Sequence, residues 1–291
     1  MNKIFFNKIK KKTQFLTWKI DKKIFETGDY KLNEKIAAKN ANKSLKIIAK
    51  KYTHILPKDM ESFLKSNKKI WSYIKGYGAD LGGGVGILSS VIAKKNNLKE
   101  IYCVEISKNA VTKCQPNVKK KLLKKKKDKV VSVLGNFDNI ELKKSSLDFC
   151  VAWDAMHHSH NIVKTLKGVK KVLKKNGKFI IIDRVQNNST TNKEIKRMEN
   201  IVYPKEFLKA NFLPLNKIFT RKMNGEREYR FKDWEKFFKK AGFKISETII
   251  LKEKHEKVIN KKNDNNIREK IVNFEIGGFE RQKIIYMIGK N

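Results

Sequence analysis

From residue 76 onward, short apolar runs alternate with stretches of helical period. The runs are Gly78–Leu81, Ile101–Val104, Val130–Leu134, Leu147–Ala152 and Lys178–Ile182. They are short, dense in apolar residues and bounded by glycine or polar clusters, which is the pattern of strands buried on both faces. Helices are predicted over Ile87 to about Lys95, from about Lys108, and over Ile162 to about Leu173. In the last of these, Val163, Leu166, Val169, Val172 and Leu173 recur at helical spacing, and Asn176–Gly177 reads as its stop signal. Phe231–Ala241 is an amphipathic helix with Trp234, Phe237 and Phe238 on one side, capped by Gly242. Phe243–Leu251 and Lys283–Ile288 read as two more strands. Strands alternating with helices predict an α/β fold with a doubly wound, mostly parallel sheet. Two strands after the fifth, with no further β-α unit, predict an antiparallel last strand. The expected sheet has seven strands.

Two segments depart from this pattern. Residues 1–75 form an N-terminal helical extension, with Ile36, Leu45, Ile48, Phe63 and Ile70 set among lysines, a break at Gly28–Asp29 and a helix start at Pro57. Residues 186–228 lose the strand pattern and hold Pro204 and Pro214. They are expected to be a helical insertion covering the acceptor side of a main domain spanning 76–291. Lys252–Asn266 is polar and expected at the surface. No internal repeat is visible.

Composition narrows the function. Hydrophobic residues make up 40 %, enough for a sizeable core. No window of 18 apolar residues exists, and the basic N-terminus lacks the apolar run of a secretory signal, so a cytoplasmic location is expected. Cys103, Cys114 and Cys150 are too few and too scattered for a disulfide framework or a thiolate metal site. Lys plus Arg number 68 against 29 acids, a net charge of +39. Only seven of these are Arg, and Asn is also abundant at 27. Lys and Asn share A-rich codons, so compositional bias explains much of the charge. Nucleic-acid surfaces favour Arg for bidentate contacts, and nucleic acid is therefore not the expected partner. Phe5, Phe6, Ile9, Phe15, Leu16 and Trp18 make residues 4–18 apolar and basic, a segment able to contact a membrane surface as well as to pack on the main domain.

The most informative segment is Asp80–Leu81–Gly82–Gly83–Gly84–Val85–Gly86, a glycine turn between a strand and a helix. Such a turn lets a ligand approach the backbone closely at the strand ends. Glu105 closes the next strand, 19 residues past Gly86, where a carboxylate can accept bonds from a ribose diol. The dinucleotide pattern Gly-x-Gly-x-x-Gly fails, because Ile87 or Ser89 stands where the third glycine is needed. A P-loop fails too, for want of Gly-Lys-Ser/Thr.

The spacing acid-x-Gly-x-Gly-x-Gly, at Asp80, Gly82, Gly84 and Gly86, resembles the first motif of class I S-adenosylmethionine-dependent methyltransferases. The resemblance covers about residues 75–185 and touches Trp234–Phe243. It implies that Asp80 sits near the methionine amino group of the cofactor and that Gly82, Gly83, Gly84 and Gly86 pack against its methionine and ribose portions. Glu105 would hold the ribose and Ile106 would lie on the adenine. Where the family often has Gly-Asp after the third strand, this chain has Gly135–Asn136–Phe137–Asp138. Asn136 is then the adenine acceptor, Phe137 a stacking partner and Asp138 an alternative acceptor. The loop after the fourth strand, from Asp154 through Met156–His157–His158–Ser159–His160, would face the methionine end.

His157, His158 and His160 are candidate general bases, with His157 or His158 favoured, because imidazole titrates near neutral pH. Adjacent histidines point different ways and no cysteine is near, so no metal is expected. Asp183 is a weaker base. Tyr30, Tyr203, Phe207, Phe212 and Arg221 are candidate linings of an acceptor pocket. With no amino-directed or cytosine-C5 nucleic-acid motif, the expected acceptor is a small molecule. RNA or protein docked through lysines, or a membrane-associated lipid or quinone, is the alternative.

Overall fold

A computed structural model describes residues 15–53, 55–211, 213–251 and 282–289. Phe212, Lys252–Asn266 and residues 4–14 of the apolar-basic segment lie outside the described residues. The strands are β1 (Leu16–Thr17), β2 (Gly76–Leu81), β3 (Leu98–Glu105), β4 (Val130–Leu134), β5 (Leu147–Trp153), β6 (Leu173–Val185), β7 (Lys244–Leu251) and β8 (Gln282–Gly289). They form one sheet in the order β1-β4-β3-β2-β5-β6-β8-β7. Strands β1 to β6 pair parallel, and β8 runs antiparallel between β6 and β7.

The helices are α1 (Gly28–Asn40), α2 (Leu45–Tyr52), α3 (Pro57–Ser66), α4 (Lys68–Tyr73), α5 (Ile87–Ala93), α6 (Gln115–Leu123), α7 (Ile162–Val172), α8 (Asn192–Glu199), α9 (Lys205–Ala210) and α10 (Phe231–Ala241). Side-chain alternation along the strands supplies two cores. Phe149, Val151, Ile180 and Ile182 face one side, where Ile48, Met60, Phe63 and Ile70 of the N-terminal helices join Val91 and Ile92 of α5. Cys150, Ala152, Phe179 and Ile181 face the other, against Leu166, Val169, Trp234 and Phe238 of α7 and α10. The N-terminal extension thus shares a core with the sheet.

Three expectations change. The sheet has eight strands, because Leu16 and Thr17 pair with Val133 and Leu134 at the free edge of β4. Trp18 follows them, its N–H donating to the Leu134 carbonyl at 2.9 Å. Its ring fills the place of a side chain at Gly135, where a Cβ would stand 2.8 Å away. Next, α7 stops at Val172 and the chain becomes extended at once. Asn176, at φ +67°, instead marks a register shift inside β6, where Leu147 pairs with Leu173 but Phe149 with Lys178. Finally, Gly28 begins α1 rather than breaking a helix. A Cβ there would meet the Met223 carbonyl oxygen at 2.7 Å, so the insertion packs directly on the start of α1.

Candidate active site

The carboxyl ends of β2, β3, β4 and β5 border a cavity of about 260 Å³. Its floor is the glycine turn. Gly82, Gly84 and Gly86 have φ of +74°, +51° and +83°, the left-handed region that strains any L side chain. Gly83 is needed for space, since a Cβ would lie 2.5 Å from Cys103 Sγ and 3.1 Å from Asp80 Oδ2. Gly84 has nothing within 4 Å of its Cβ position and lines the cavity. It leaves open backbone beside which a ligand can lie.

Carboxylates ring this floor. Asp80 is buried and accepts from Ser89 Oγ at 2.6 Å. Burial pushes its pKa up to about 7, against the Ser89 hydrogen bonds. Glu105 accepts from the Gly84 N–H at 2.9 Å through Oε2 and from the Ser107 N–H at 2.8 Å through Oε1. Burial raises its pKa, and the backbone donors of Ser107, Gly84 and Ile106 oppose the rise. A carboxylate has about four lone-pair sites, so acceptor capacity for a hydroxyl remains.

Asn136 Oδ1 accepts from the Asp138 N–H at 2.9 Å and closes the turn after β4. Phe137 and Ile106 line the cavity. The Asp138 carboxylate takes the Ser159 hydroxyl at 2.7 Å, the His160 N–H at 3.0 Å and the Thr165 hydroxyl. Burial works against its ionisation, yet these donors hold its pKa below the usual carboxylate range. Asp138 is committed to pinning the start of α7. Asp154 stands at φ +53° and accepts from Lys283 Nζ at 3.1 Å. Despite burial, Lys283 and Arg184 keep its pKa well below the ordinary value.

The three histidines separate. His157 is buried and does not line the cavity. Its Nδ1 is 2.7 Å from Asp183 Oδ1 and its Nε2 is 2.7 Å from Arg184 Nη2. Both ring nitrogens are committed, so His157 is not a base for an acceptor, and Asp183 holds it rather than serving as one. His157, His158 and Glu226 present potential ligand atoms within 4.8 Å of one another. The Arg184 guanidinium nevertheless occupies the one lone pair His157 could offer a metal. His158 and His160 do line the cavity. The His158 ring lies against that of His157, tilted by 42° with centroids 4.2 Å apart, and Arg227 Nη1 donates to the His158 carbonyl at 3.0 Å. His160 is the more exposed and lies 3.4 Å from Asp138 through Nδ1.

The upper wall comes from the N-terminal extension, through Ile24, Tyr30, Asn33, Tyr52 and Met60. The buried Tyr52 hydroxyl has no hydrogen-bond partner among the described residues. No described residue of 186–228 lines the cavity. Tyr203 stacks on Phe207 at 3.9 Å, and buried Arg221 pairs with Glu228, so these three candidates form the insertion's own interior. The insertion braces the 153–160 loop from behind, with Glu226 meeting Arg184 and Arg227 meeting the histidine carbonyls. Arg184, Glu226, Arg227 and Tyr52 had no motif to reveal them.

Residues 79–181 match the model of a protein family described as a methyltransferase domain. No curated protein matches the chain. Among solved structures, a Leishmania major S-adenosylmethionine-dependent methyltransferase aligns over 89 % of this chain and 82 % of its own, with TM-score 0.54 and 11 % identity. A Galdieria sulphuraria protein, provisionally named a sarcosine dimethylglycine methyltransferase, aligns over 79 % and 84 %, with TM-score 0.53 and 15 % identity. At such identities the structures establish the fold. The matched family, the glycine turn and the strand order identify the region around residues 79–181 as a class I S-adenosylmethionine-dependent methyltransferase domain. The enzyme's cofactor is S-adenosylmethionine, and its reaction is the transfer of that cofactor's methyl group. No described helix is long and apolar enough to cross a membrane.

Proposed function

We propose that this enzyme methylates a small, non-anionic molecule held between the glycine turn and the N-terminal helices. One observation carries the reading. Among the described residues the cavity lining holds four carboxylates, Asp80, Glu105, Asp138 and Asp154, and no lysine or arginine, in a chain of net charge +39. A site built to receive RNA or another polyanion would place its cations where the substrate enters. Here the local field favours a cationic cofactor and a neutral or cationic acceptor.

The residues fit S-adenosylmethionine. When bound, it supplies a methyl group activated for in-line displacement. Ionised Asp80 would attract the amino group of the methionine portion, and Glu105 would accept the ribose hydroxyls. Gly82, Gly83, Gly84 and Gly86 would admit the ligand against the backbone. Ile106, Phe137 and Asn136 would border the adenine, and Asp154 the methionine end. His158 is the base for a hydroxyl acceptor: it lines the cavity, and its ring is oriented by His157. His160 is second, being held by Asp138 farther along the loop.

Incubating the protein with methyl-labelled cofactor and separate panels of small amines, small alcohols and phenols, organic anions, RNA and protein tests this reading. Label is expected in an uncharged or cationic small molecule. Transfer to RNA or to a polyanionic acceptor at physiological salt would overturn it.

A further inference from the structure

Four large apolar side chains of the insertion stand exposed: Val202 at 52 %, Leu215 at 51 %, Ile218 at 72 % and Met223 at 50 %. Val202 and Ile218 share one face. Residues 201–203 and 219–221 make a short antiparallel ribbon, with Val202 opposite Thr220, the Tyr203 N–H donating to the Phe219 carbonyl and the Arg221 N–H to the Ile201 carbonyl. Side chains alternate across such a ribbon. Tyr203, Phe219 and Arg221 point inward, where Tyr203 and Phe219 stack and Arg221 is buried. Val202 and Thr220 therefore point outward, and Ile218, two residues before Thr220, shares their face. Leu215 precedes this strand and Met223 follows it in the next turn.

We infer that this face docks on an anionic lipid bilayer. Charge selects that occupant. Lys205, Lys209, Lys217 and Lys222 are exposed in the same stretch, 202–223, against the single exposed acid Glu206. Apolar side chains accompanied by lysines match the interface of a negatively charged membrane, where the former enter the acyl boundary and the latter meet headgroups. A second copy of the chain would bring another +39 to the same place. RNA would find no exposed aromatic ring among these four residues on which to stack a base. The face adjoins the active site, since the Met223 carbonyl packs on Gly28 at the start of α1, the helix that carries Tyr30 and Asn33 to the cavity.

The test is flotation of the full chain with vesicles of phosphatidylcholine alone or mixed equally with phosphatidylglycerol, at physiological salt. The wild type is expected to float with the mixed vesicles only. The double variant Leu215→Ser/Ile218→Ser keeps every lysine and should bind them at least about tenfold more weakly, with S-adenosylmethionine affinity unchanged. A fluorophore on Ile218→Cys should shift to shorter wavelength on the same vesicles, a readout independent of the double variant's folding. Equal flotation of wild type and double variant would assign binding to the general lysine excess and overturn the inference. An unshifted fluorophore, dimerisation abolished by the double variant, or RNA retention that depends on these two residues would overturn it as well. None of these outcomes depends on the acceptor proposed above.

Discussion

His157 accepts from Arg184 through Nε2 and faces Asp183 through Nδ1, each at 2.7 Å. A guanidinium has no lone pair to offer, so Nε2 is the bare nitrogen and the ring's single proton lies on Nδ1, directed at Asp183. Burial first, then Arg184, hold the His157 pKa well below that of an ordinary histidine. This neutral imidazole is a spacer between an acid and a base, joined through Arg184 to Glu226 in the insertion.

Replacing His157 with Ala would leave one guanidinium nitrogen without its acceptor and take the ring donor from Asp183, which keeps the backbone N–H groups of residues 157 and 184. The expected loss is about 1–3 kcal/mol of folding stability, the cost of one buried polar group left unpaired. Urea unfolding measures it, and a midpoint equal to wild type would contradict the assignment. His158→Gln should leave the unfolding free energy within about 1 kcal/mol of wild type, because its ring closes no such chain.

Asp80 gives a pH signature. Its folded pKa of about 7 exceeds the unfolded value of 3.8. The folded state therefore holds a proton that the unfolded chain releases, and this group makes folding less favourable as pH rises between those values. Relative to wild type, Asp80→Asn should gain stability across that window and stay level above it. S-adenosylmethionine, with its cationic amine, favours the ionised form. Its affinity for wild type should rise on going from pH 6 to pH 8, by up to about tenfold per unit below the pKa, and the variant should lose that slope. Calorimetric titration at several pH values checks both halves.

Glu105→Ala removes an acceptor of two backbone N–H groups as well as the proposed partner of the ribose diol. Hydrogen bonds to a charged group contribute about 1.5–3 kcal/mol each. S-adenosylmethionine affinity should fall at least tenfold by calorimetry, and Glu105→Gln should lie between the two. Unchanged affinity in the Ala variant would remove Glu105 from the cofactor site.

The lysines predict RNA binding of a particular kind. It should be weak, indifferent to sequence and steeply reduced between low and physiological salt. It should also leave cofactor affinity unaltered, because the Lys119–Lys127 run leads into the start of β4, the end of that strand remote from the cavity. Fluorescence anisotropy with unrelated RNAs at stepped salt tests this, and competition between RNA and cofactor would refute it.

The parallel strands and the glycine turn were legible because each rests on local signals: dense apolar runs, a helical period and a turn that only glycine can make. Glu105 was legible through its distance from that turn. Leu16–Thr17 was not, since two residues carry no periodicity and their pairing is set by the distant β4 edge. The setting of His157 was not legible, because a histidine's work depends on what meets both nitrogens, and Asp183 and Arg184 come from the distant strand β6. One overlooked signal lay in the composition. Where the chain prefers lysine, arginines persist at 184, 221, 227 and 230, and each makes side-chain bonds that suit a planar multiple donor.

The position of β8 between β6 and β7 has a consequence for biosynthesis. As the polypeptide emerges, β7 is translated before the strand that joins it to the sheet. Until Gln282–Gly289 arrives, β6 presents an unpaired, apolar border and β7 has nothing to pair with. A nascent or prematurely terminated product is therefore sticky along its most hydrophobic rim, and a nonsense codon anywhere in 252–281 would yield an aggregating polypeptide even though every glycine of the cofactor turn had already been made.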